Sequence, residues 1–278
     1  MRIKYRFAFN ADEADVINFL RKKNIEYEKS GFTVVFELYE EHEKFNEVKS
    51  YMESHNAIII PNAVYARNEI NSAQWLTIRS SWGNLYPQPE DDMKYISTTY
   101  DSVDYCEGNE PSYYCRKGLI QKESFVLKKE PNWGSRNFMM LHWVADELFM
   151  SPKAEDVLKS SNLKGFEIYN VLSKSKKELE GIKQIFVKTY LPEGFSADSI
   201  ERKLTCPKCN FTKYWPKTGA LRFHKRIFEG VQGDIVKTTD KFGETGCDSL
   251  ILIAHKFYDV IKNAKLDRGL VFEPIELI

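Results

Sequence analysis

The sequence Thr205-Cys-Pro-Lys-Cys-Asn210 has the spacing of a zinc knuckle. A Cys-x-x-Cys turn directs two thiolates at one point, and a structural zinc ion takes four such ligands in a tetrahedron. A second pair of cysteines, Cys106 and Cys115, lies far upstream. We therefore predict one structural Zn²⁺ site formed by Cys106, Cys115, Cys206 and Cys209, which would tie the middle of the chain to its C-terminal third.

Charges of opposite sign surround the two cysteine pairs. Seven acidic residues and one lysine lie between Glu90 and Glu110, whereas eight basic residues and no acidic residue lie between Arg202 and Arg226. If the pairs meet at one metal ion, the two segments also meet and their charges offset each other. Two separate solvated loops would explain the same pattern, so it is consistent with a shared site without requiring one.

The overall composition narrows the class of protein. At 278 residues the chain can form one large or two modest domains. Its formal net charge of zero argues against a dedicated nucleic-acid or membrane-surface protein. No apolar run approaches the ~20 residues that cross a bilayer, and the N-terminus lacks the apolar core of a signal peptide. Five cysteines, an odd number, do not indicate a secreted disulfide framework, so we predict a cytoplasmic protein without a membrane partner.

Residues 1–60 are predicted to form a small α/β sandwich, ferredoxin-like or simpler, ahead of a larger mixed domain over residues 61–278. Alternating apolar residues from Ile3 to Phe9 indicate a half-buried strand, and Asn10 with Glu13 indicates a capping box. The capping box begins the first helix, and a strand, a second helix and a further strand are predicted after it. The later segments are Phe32 to Tyr39, Glu41 to Ser54 and Ile58 to Ile60.

The larger domain is predicted to be α+β. Phe138 to Met150 is dense in large apolar residues and belongs in a core, and Ser151-Pro152 begins a helix that ends near Ser160. Further predicted elements are strands at Gly165 to Leu172 and Gln184 to Leu191, a hairpin from Ala220 to Phe228 and Asp234 to Val236, a helix from Ser249 to Ala264, and a closing strand from Leu270 to Ile275.

Several sequence segments of the larger domain resemble the double-CXXCG family of bacterial proteins, which is related to the immunity proteins of polymorphic toxin systems. The resemblance runs from near Trp75 to the C-terminus. The family pattern is Cys-x-x-Cys-Gly, present twice. In the first copy Ser112 replaces the first cysteine and Arg116 the glycine, and in the second copy Asn210 replaces the glycine. The segments that carry the resemblance are Cys115-Arg-Lys-Gly-Leu-Ile-Gln121, His142-Trp-Val-Ala-Asp-Glu-Leu-Phe149, Ser151-Pro-Lys153, Gly165-Phe-Glu167, Cys206-Pro-Lys-Cys209 and Gly269-Leu-Val-Phe-Glu-Pro274.

The resemblance implies a non-enzymatic immunity protein that binds and neutralises a cognate toxin protein, with a structural zinc site. Glu90 to Glu110 would face the toxin if the toxin is basic. No phosphate-binding glycine loop and no hydrolase motif is present, and we predict no catalytic residues. The alternative is a zinc-ribbon nucleic-acid-binding protein that uses the basic segment, and a metal-dependent enzyme ranks third.

Other candidate residues have simpler explanations. Cys247 is expected to be a small buried residue or an idle thiol. His142 and Asp146 could share a helix face, although the apolar neighbours of His142 indicate a core histidine, and His224 is an alternative fourth zinc ligand. Aromatic residues in the basic segment could stack on single-stranded bases, but a core hairpin explains them and is favoured. These aromatic residues are Phe211, Tyr214, Trp215, Phe223 and Phe228.

Overall fold

The structure is a computed structural model that describes residues 1–101, 106, 117–219, 221–243 and 246–278. Cys115 and Ser112 lie outside the described residues. Helices and strands are mixed along the whole chain, which confirms the predicted α+β class. The chain divides into an N-terminal unit, Met1–Glu69, and a C-terminal unit, Ile70–Ile278. Residue 60, where the sequence predicts the division, lies inside the last strand of the N-terminal unit.

The N-terminal unit is a four-stranded antiparallel sheet with two helices. Its strands lie in the order β2-β3-β1-β4, and each neighbouring pair is antiparallel. This order, with the sequence of elements βαββαβ, defines a ferredoxin-like arrangement. The elements are β1 (Arg2–Asn10), α1 (Ala14–Lys22), β2 (Glu28–Ser30), β3 (Thr33–Tyr39), α2 (Phe45–Ser54) and β4 (Ile58–Val64).

Alternating apolar residues hold this unit together. Phe7 of β1 lies opposite Phe36 of β3, and their rings stack with centroids 4.7 Å apart. The apolar sides of both helices, represented by Leu20 of α1 and Met52 of α2, are fully buried in the same core. Burying each such side chain contributes ~1.5–3 kcal/mol, so the period-two and helical patterns together account for the packing.

The C-terminal unit contains two larger sheets and most of the strands. The boundary between the units falls within helix α3 (Arg67–Ser72). The elements that follow are β5 (Trp75–Ser80), α4 (Tyr95–Thr99), β6 (Tyr100–Asp101), β7 (Ile120–Gln121), β8 (Val126–Leu127), β9 (Phe138–Leu141), β10 (Val144–Met150), α5 (Pro152–Ser160), β11 (Phe166–Ser173), β12 (Glu178–Val187), β13 (Tyr190–Leu191), β14 (Ile200–Thr205), β15 (Thr212–Pro216), β16 (Arg222–Phe223), β17 (Ile235–Phe242), β18 (Asp248–Ala254), α6 (His255–Asn263), β19 (Leu270–Pro274) and β20 (Glu276–Leu277).

The two larger sheets share one apolar core. One sheet has the order β8-β11-β12-β10-β9, and the other follows β14-β15-β17-β18-β5-β19 with β13 beside β17. Side chains from both sheets meet those of α5 and α6. The buried residues of this core include Leu76, Ile78, Phe138, Leu148, Met150, Leu158, Ile185, Ile253, Phe257 and Ile261.

Two predicted elements of the C-terminal unit are wrong. Residues 249–264 do not form one helix, because β18 occupies the first half and α6 the second. The run Leu250 to Ile253 lies in an interior strand, where apolar residues on both faces remove the alternation that would have identified it. The predicted hairpin of residues 220–236 is also wrong, since β16 pairs with β20 and β17 pairs with β18.

The predicted helix start at Ser151 is confirmed. The Ser151 hydroxyl accepts a hydrogen bond from the Ala154 amide at 3.3 Å, and Pro152 occupies the first position of α5. Such a cap satisfies an amide that has no partner within the helix. Within the described part of the chain, every helix is too short or too polar to cross a membrane.

Candidate metal centre

The knuckle is the turn of a β-hairpin. Strands β14 and β15 pair antiparallel on either side of it, and the Cys206 amide donates to the Phe211 carbonyl at 2.9 Å. The Asn210 amide donates to the Cys206 carbonyl at 2.8 Å. Asn210 has a φ of +58°, a left-handed conformation that asparagine tolerates better than most residues. A glycine would fit this left-handed position equally well.

Three cysteine sulfurs converge at this turn. The Sγ atoms of Cys106, Cys206 and Cys209 all lie within 4.8 Å of one another, and those of Cys106 and Cys206 are 3.7 Å apart. Cys106 and Cys206 are buried, whereas Cys209 is half-buried. Three of the four predicted ligands are therefore close enough to hold a metal ion. The fourth, Cys115, lies outside the described residues.

The surroundings of Cys206 favour its ionised form. Burial raises the pKa of the Cys206 thiol, but the backbone amides of Cys209 and Lys208 and the thiols of Cys209 and Cys106 lower it. The balance brings the pKa to about 7. Because the thiolate is the form that binds metals, the lowered pKa of Cys206 favours binding of a metal cation at this turn.

The remaining candidate ligands do not join the described sulfur cluster. Cys247 is buried, as expected, but is not among the residues that converge there. His142 and Asp146 do not share a helix face, because the chain forms the β9–β10 hairpin at this point. The His142 ring stacks on Tyr86 with centroids 4.4 Å apart. His224 precedes a short 3-10 turn, and its amide donates to the Gly194 carbonyl.

The aromatic residues of the basic segment differ in exposure. Phe223 is fully buried, and Tyr214 and Phe228 pack partly against the same core. Trp215 is 37% exposed on β15, and the guanidinium of Arg202 lies 5.7 Å from the centre of its ring. Lys213 is fully buried and donates to the Gly246 carbonyl at 2.7 Å. Much of this segment therefore serves packing.

The sequence reasoning missed a buried ion pair. The Lys237 ammonium on β17 donates to the Glu147 carboxylate on β10, and the two side chains are only 2% and 6% exposed. Gln184 also donates to Glu147, at 3.1 Å. Lys237 follows the apolar residues Ile235 and Val236 in the sequence, and this lysine was the available signal.

Comparison with known proteins assigns no function to this cysteine cluster. The chain matches no model of a protein family, and it matches no curated protein. Inference about function therefore starts from the cysteine cluster and its surroundings.

Proposed function

We propose that the protein is a non-enzymatic immunity protein that is stabilised by a structural zinc ion and neutralises a cognate bacterial toxin in the cytoplasm. The observation that carries the zinc site is the convergence of Cys106, Cys206 and Cys209. The toxin-binding role rests on the resemblance of residues 75–278 to double-CXXCG proteins.

The spacing of the sulfurs supports zinc as the metal. A tetrahedral site with Zn–S bonds of ~2.3 Å places its sulfur atoms about 3.75 Å apart. The Sγ atoms of Cys106 and Cys206 are 3.7 Å apart. Thiolates are soft ligands that suit zinc better than magnesium or calcium. We assign Cys115 to the remaining corner of the tetrahedron.

Burial of the sulfurs supports a structural role. A catalytic zinc ion keeps one coordination position open for water or substrate, whereas a structural ion is enclosed by four protein ligands. Cys106 is 5% exposed and Cys206 is fully buried. A site with two buried sulfurs and a fourth cysteine would leave little room for a substrate.

Metal analysis tests the zinc site. Protein purified without chelator should contain about one zinc ion per chain, because cysteine sites bind zinc tightly near neutral pH. The variant Cys206→Ser should lose the zinc and melt at a lower temperature. Cys247→Ser is the matched control, since Cys247 is also buried but lies outside the sulfur cluster, and it should keep the zinc. Wild-type protein without zinc, measured by elemental analysis, would contradict the assignment.

The exposed acidic residues near α4 support a basic partner. Asp91 and Asp92 lie in a 3-10 turn just before α4, and both are exposed. Glu90 forms an ion pair with Lys128 at 2.7 Å, which leaves the two aspartates as the clearest acidic surface of this turn. Opposite charges on two partners accelerate their association.

Charge reversal tests the partner surface. The variant Asp91→Lys/Asp92→Lys/Asp101→Lys/Asp104→Lys should slow association with the cognate toxin, mainly at low salt. Asp156→Lys on α5 is the control, because Asp156 is exposed on another helix. Stopped-flow binding and rescue of toxin-expressing cells provide the measurements. Unchanged association by the quadruple variant would place the interface elsewhere, and failure of the wild-type protein to rescue would contradict the immunity function.

One feature favours the alternative of nucleic-acid binding. Trp215 and Arg202 form an exposed aromatic and cationic pair on the knuckle hairpin, a combination that stacks on single-stranded bases. Fluorescence anisotropy with a labelled single strand tests it. Binding that weakens steeply with salt and is lost in Trp215→Ala would support the alternative, whereas no binding at low salt would exclude it.

A further inference from the structure

A cavity of about 370 Å³ lies beside the knuckle in the C-terminal unit. Strands β10, β13 and β17 supply one side, and α4 and the segment Lys117–Gln121 supply another. Phe211 of the knuckle turn and Cys247 also line it. Its size falls in the range of ~300–1,000 Å³ that is typical of small-molecule sites.

The cavity is backed by a chain of buried polar groups. The side-chain amides of Gln121 and Gln184 donate to each other at 2.8 and 2.7 Å, and Gln184 also donates to Glu147. Glu147 accepts in turn from the buried Lys237 ammonium. A buried ion pair contributes little to stability by itself. Two members of this chain, Gln121 and Glu147, line the cavity, which indicates a site built for polar recognition.

The charges of the described residues around the cavity favour an anionic ligand. Lys117, Lys241 and the underlying Lys237 bring three positive charges, while Asp146 and Glu147 bring two negative charges. Lys241 and Asp146 form a partly exposed pair at 3.7 Å. One positive charge remains in excess, so a simple cation would be disfavoured.

The aromatic walls favour a planar ligand. Tyr100, Phe186, Tyr190 and Phe211 line the cavity from four separate segments of the chain. Aromatic side chains stack on flat heteroaromatic rings with little regard to their substituents. The Asp146 carboxylate and the Thr239 hydroxyl, which line the same cavity, can accept hydrogen bonds from the amino groups of such a ring.

We propose that this cavity binds a mononucleotide. The base stacks against the aromatic walls and donates to Asp146, and the phosphate contacts Lys117. This site goes beyond the toxin-binding role and does not depend on it, because its ligand is a small molecule held within the C-terminal unit.

Isothermal titration calorimetry of the zinc-loaded full chain with AMP, GMP, CMP and UMP tests the proposal. At least one nucleotide should bind with a Kd below ~1 mM, and its nucleoside should bind about tenfold or more weakly because it lacks the phosphate. Inorganic phosphate and benzoate are the reference ligands. No binding by any nucleotide, or tighter binding of either reference ligand, overturns the proposal.

Two variants locate the ligand in the cavity. Tyr190→Ala, at a residue that is 51% exposed, should weaken binding by about tenfold or more through lost stacking. Lys117→Ala, at an exposed lysine, should reduce affinity for the nucleotide while leaving affinity for the nucleoside unchanged. Tyr86→Ala is the matched control, since Tyr86 is 39% exposed in the C-terminal unit and does not line the cavity. Equal losses in Tyr86→Ala and Tyr190→Ala would place the nucleotide outside the cavity and overturn the proposal.

Discussion

The buried pair of Lys237 and Glu147 makes Lys237→Met a sharp test of the interior of the C-terminal unit. Burial lowers the pKa of Lys237, but Glu147 and Asp146 raise it more, so the ammonium stays charged beside its partner. Methionine preserves most of the lysine stem and removes the charge. The Glu147 carboxylate would keep its 3.1 Å bond from Gln184 and lose its cation.

The expected loss is large because both side chains are almost fully buried. Removing one member of a buried ion pair typically destabilises a protein by ~3–5 kcal/mol, since the other charge remains without compensation. The double variant Lys237→Met/Glu147→Gln should recover more than half of this loss. Its glutamine oxygen still accepts from Gln184, and no charge is left behind.

The loss should depend on pH in a defined direction. Burial raises the pKa of Glu147 and Lys237 lowers it, so removing Lys237 raises this pKa further above the ~4.3 of the unfolded chain. The folded state then holds a proton that the unfolded state has released. Stability of Lys237→Met should therefore fall as pH rises through this window, by up to ~1.4 kcal/mol per pH unit, and should approach the wild-type value in acid.

Urea unfolding between pH 5 and pH 8 measures this effect. Tryptophan fluorescence reports on the C-terminal unit alone, because Trp75, Trp82, Trp133, Trp143 and Trp215 all lie in it. Lys241→Met is the control: its partner Asp146 is 3.7 Å away and both side chains are partly exposed, so the loss should be ~1 kcal/mol or less. A loss below ~1 kcal/mol in Lys237→Met, with no pH dependence, would refute this account of the pair.

Gly165 and the N-terminal cap of α5 give two further predictions. Gly165 has a φ of +101°, and a Cβ there would collide with the carbonyl oxygen of Ile235, so Gly165→Ala should lower stability by ~3 kcal/mol or more in urea unfolding. Gly230→Ala, with a φ of +78° and open space around it, should lose only ~1–2 kcal/mol, and equal losses would exclude the collision as the cause. Ser151→Ala removes the cap of α5 and the hydrogen bond from the Ser151 hydroxyl to Asn137, and should lower stability by ~1 kcal/mol or more, whereas an unchanged midpoint would contradict a stabilising role for the cap.

The N-terminal unit could be predicted because its signals are local. The predicted second strand, Phe32 to Tyr39, corresponds to β3, and the predicted helix from Glu41 corresponds to α2, which begins at Phe45. The strand order could not be predicted, since pairing between β1 and β4 depends on contacts between distant residues. A period-two pattern identifies which face of a strand is buried and does not identify the neighbouring strand.

The two parts of the metal centre differ in how far the sequence predicts them. Cys206 and Cys209 follow from spacing alone, because a Cys-x-x-Cys turn is a local structure. Cys106 was inferred only from a second cysteine pair and from the charges around it, and the structure places its sulfur beside the knuckle. The pair of Glu147 and Lys237 was not predictable, since other charged residues lie close to each of them in the sequence and the two are 90 residues apart.

The separation of the ligands gives the proposed zinc ion a physical role that a knuckle alone would lack. Cys106 and Cys206 are 100 residues apart, and strands β8 to β12, which form the whole five-stranded sheet, lie between them. A cross-link that closes a loop of this length removes ~4.7 kcal/mol of conformational entropy from the unfolded chain by the polymer estimate, whereas the turn from Cys206 to Cys209 closes only a short local loop. The knuckle hairpin, β14 and β15, belongs to the other large sheet. A zinc ion held by Cys106 and by the knuckle would therefore join the segment that precedes the five-stranded sheet to the edge of this other sheet. The distant ligand is therefore the one through which the metal would stabilise the fold most.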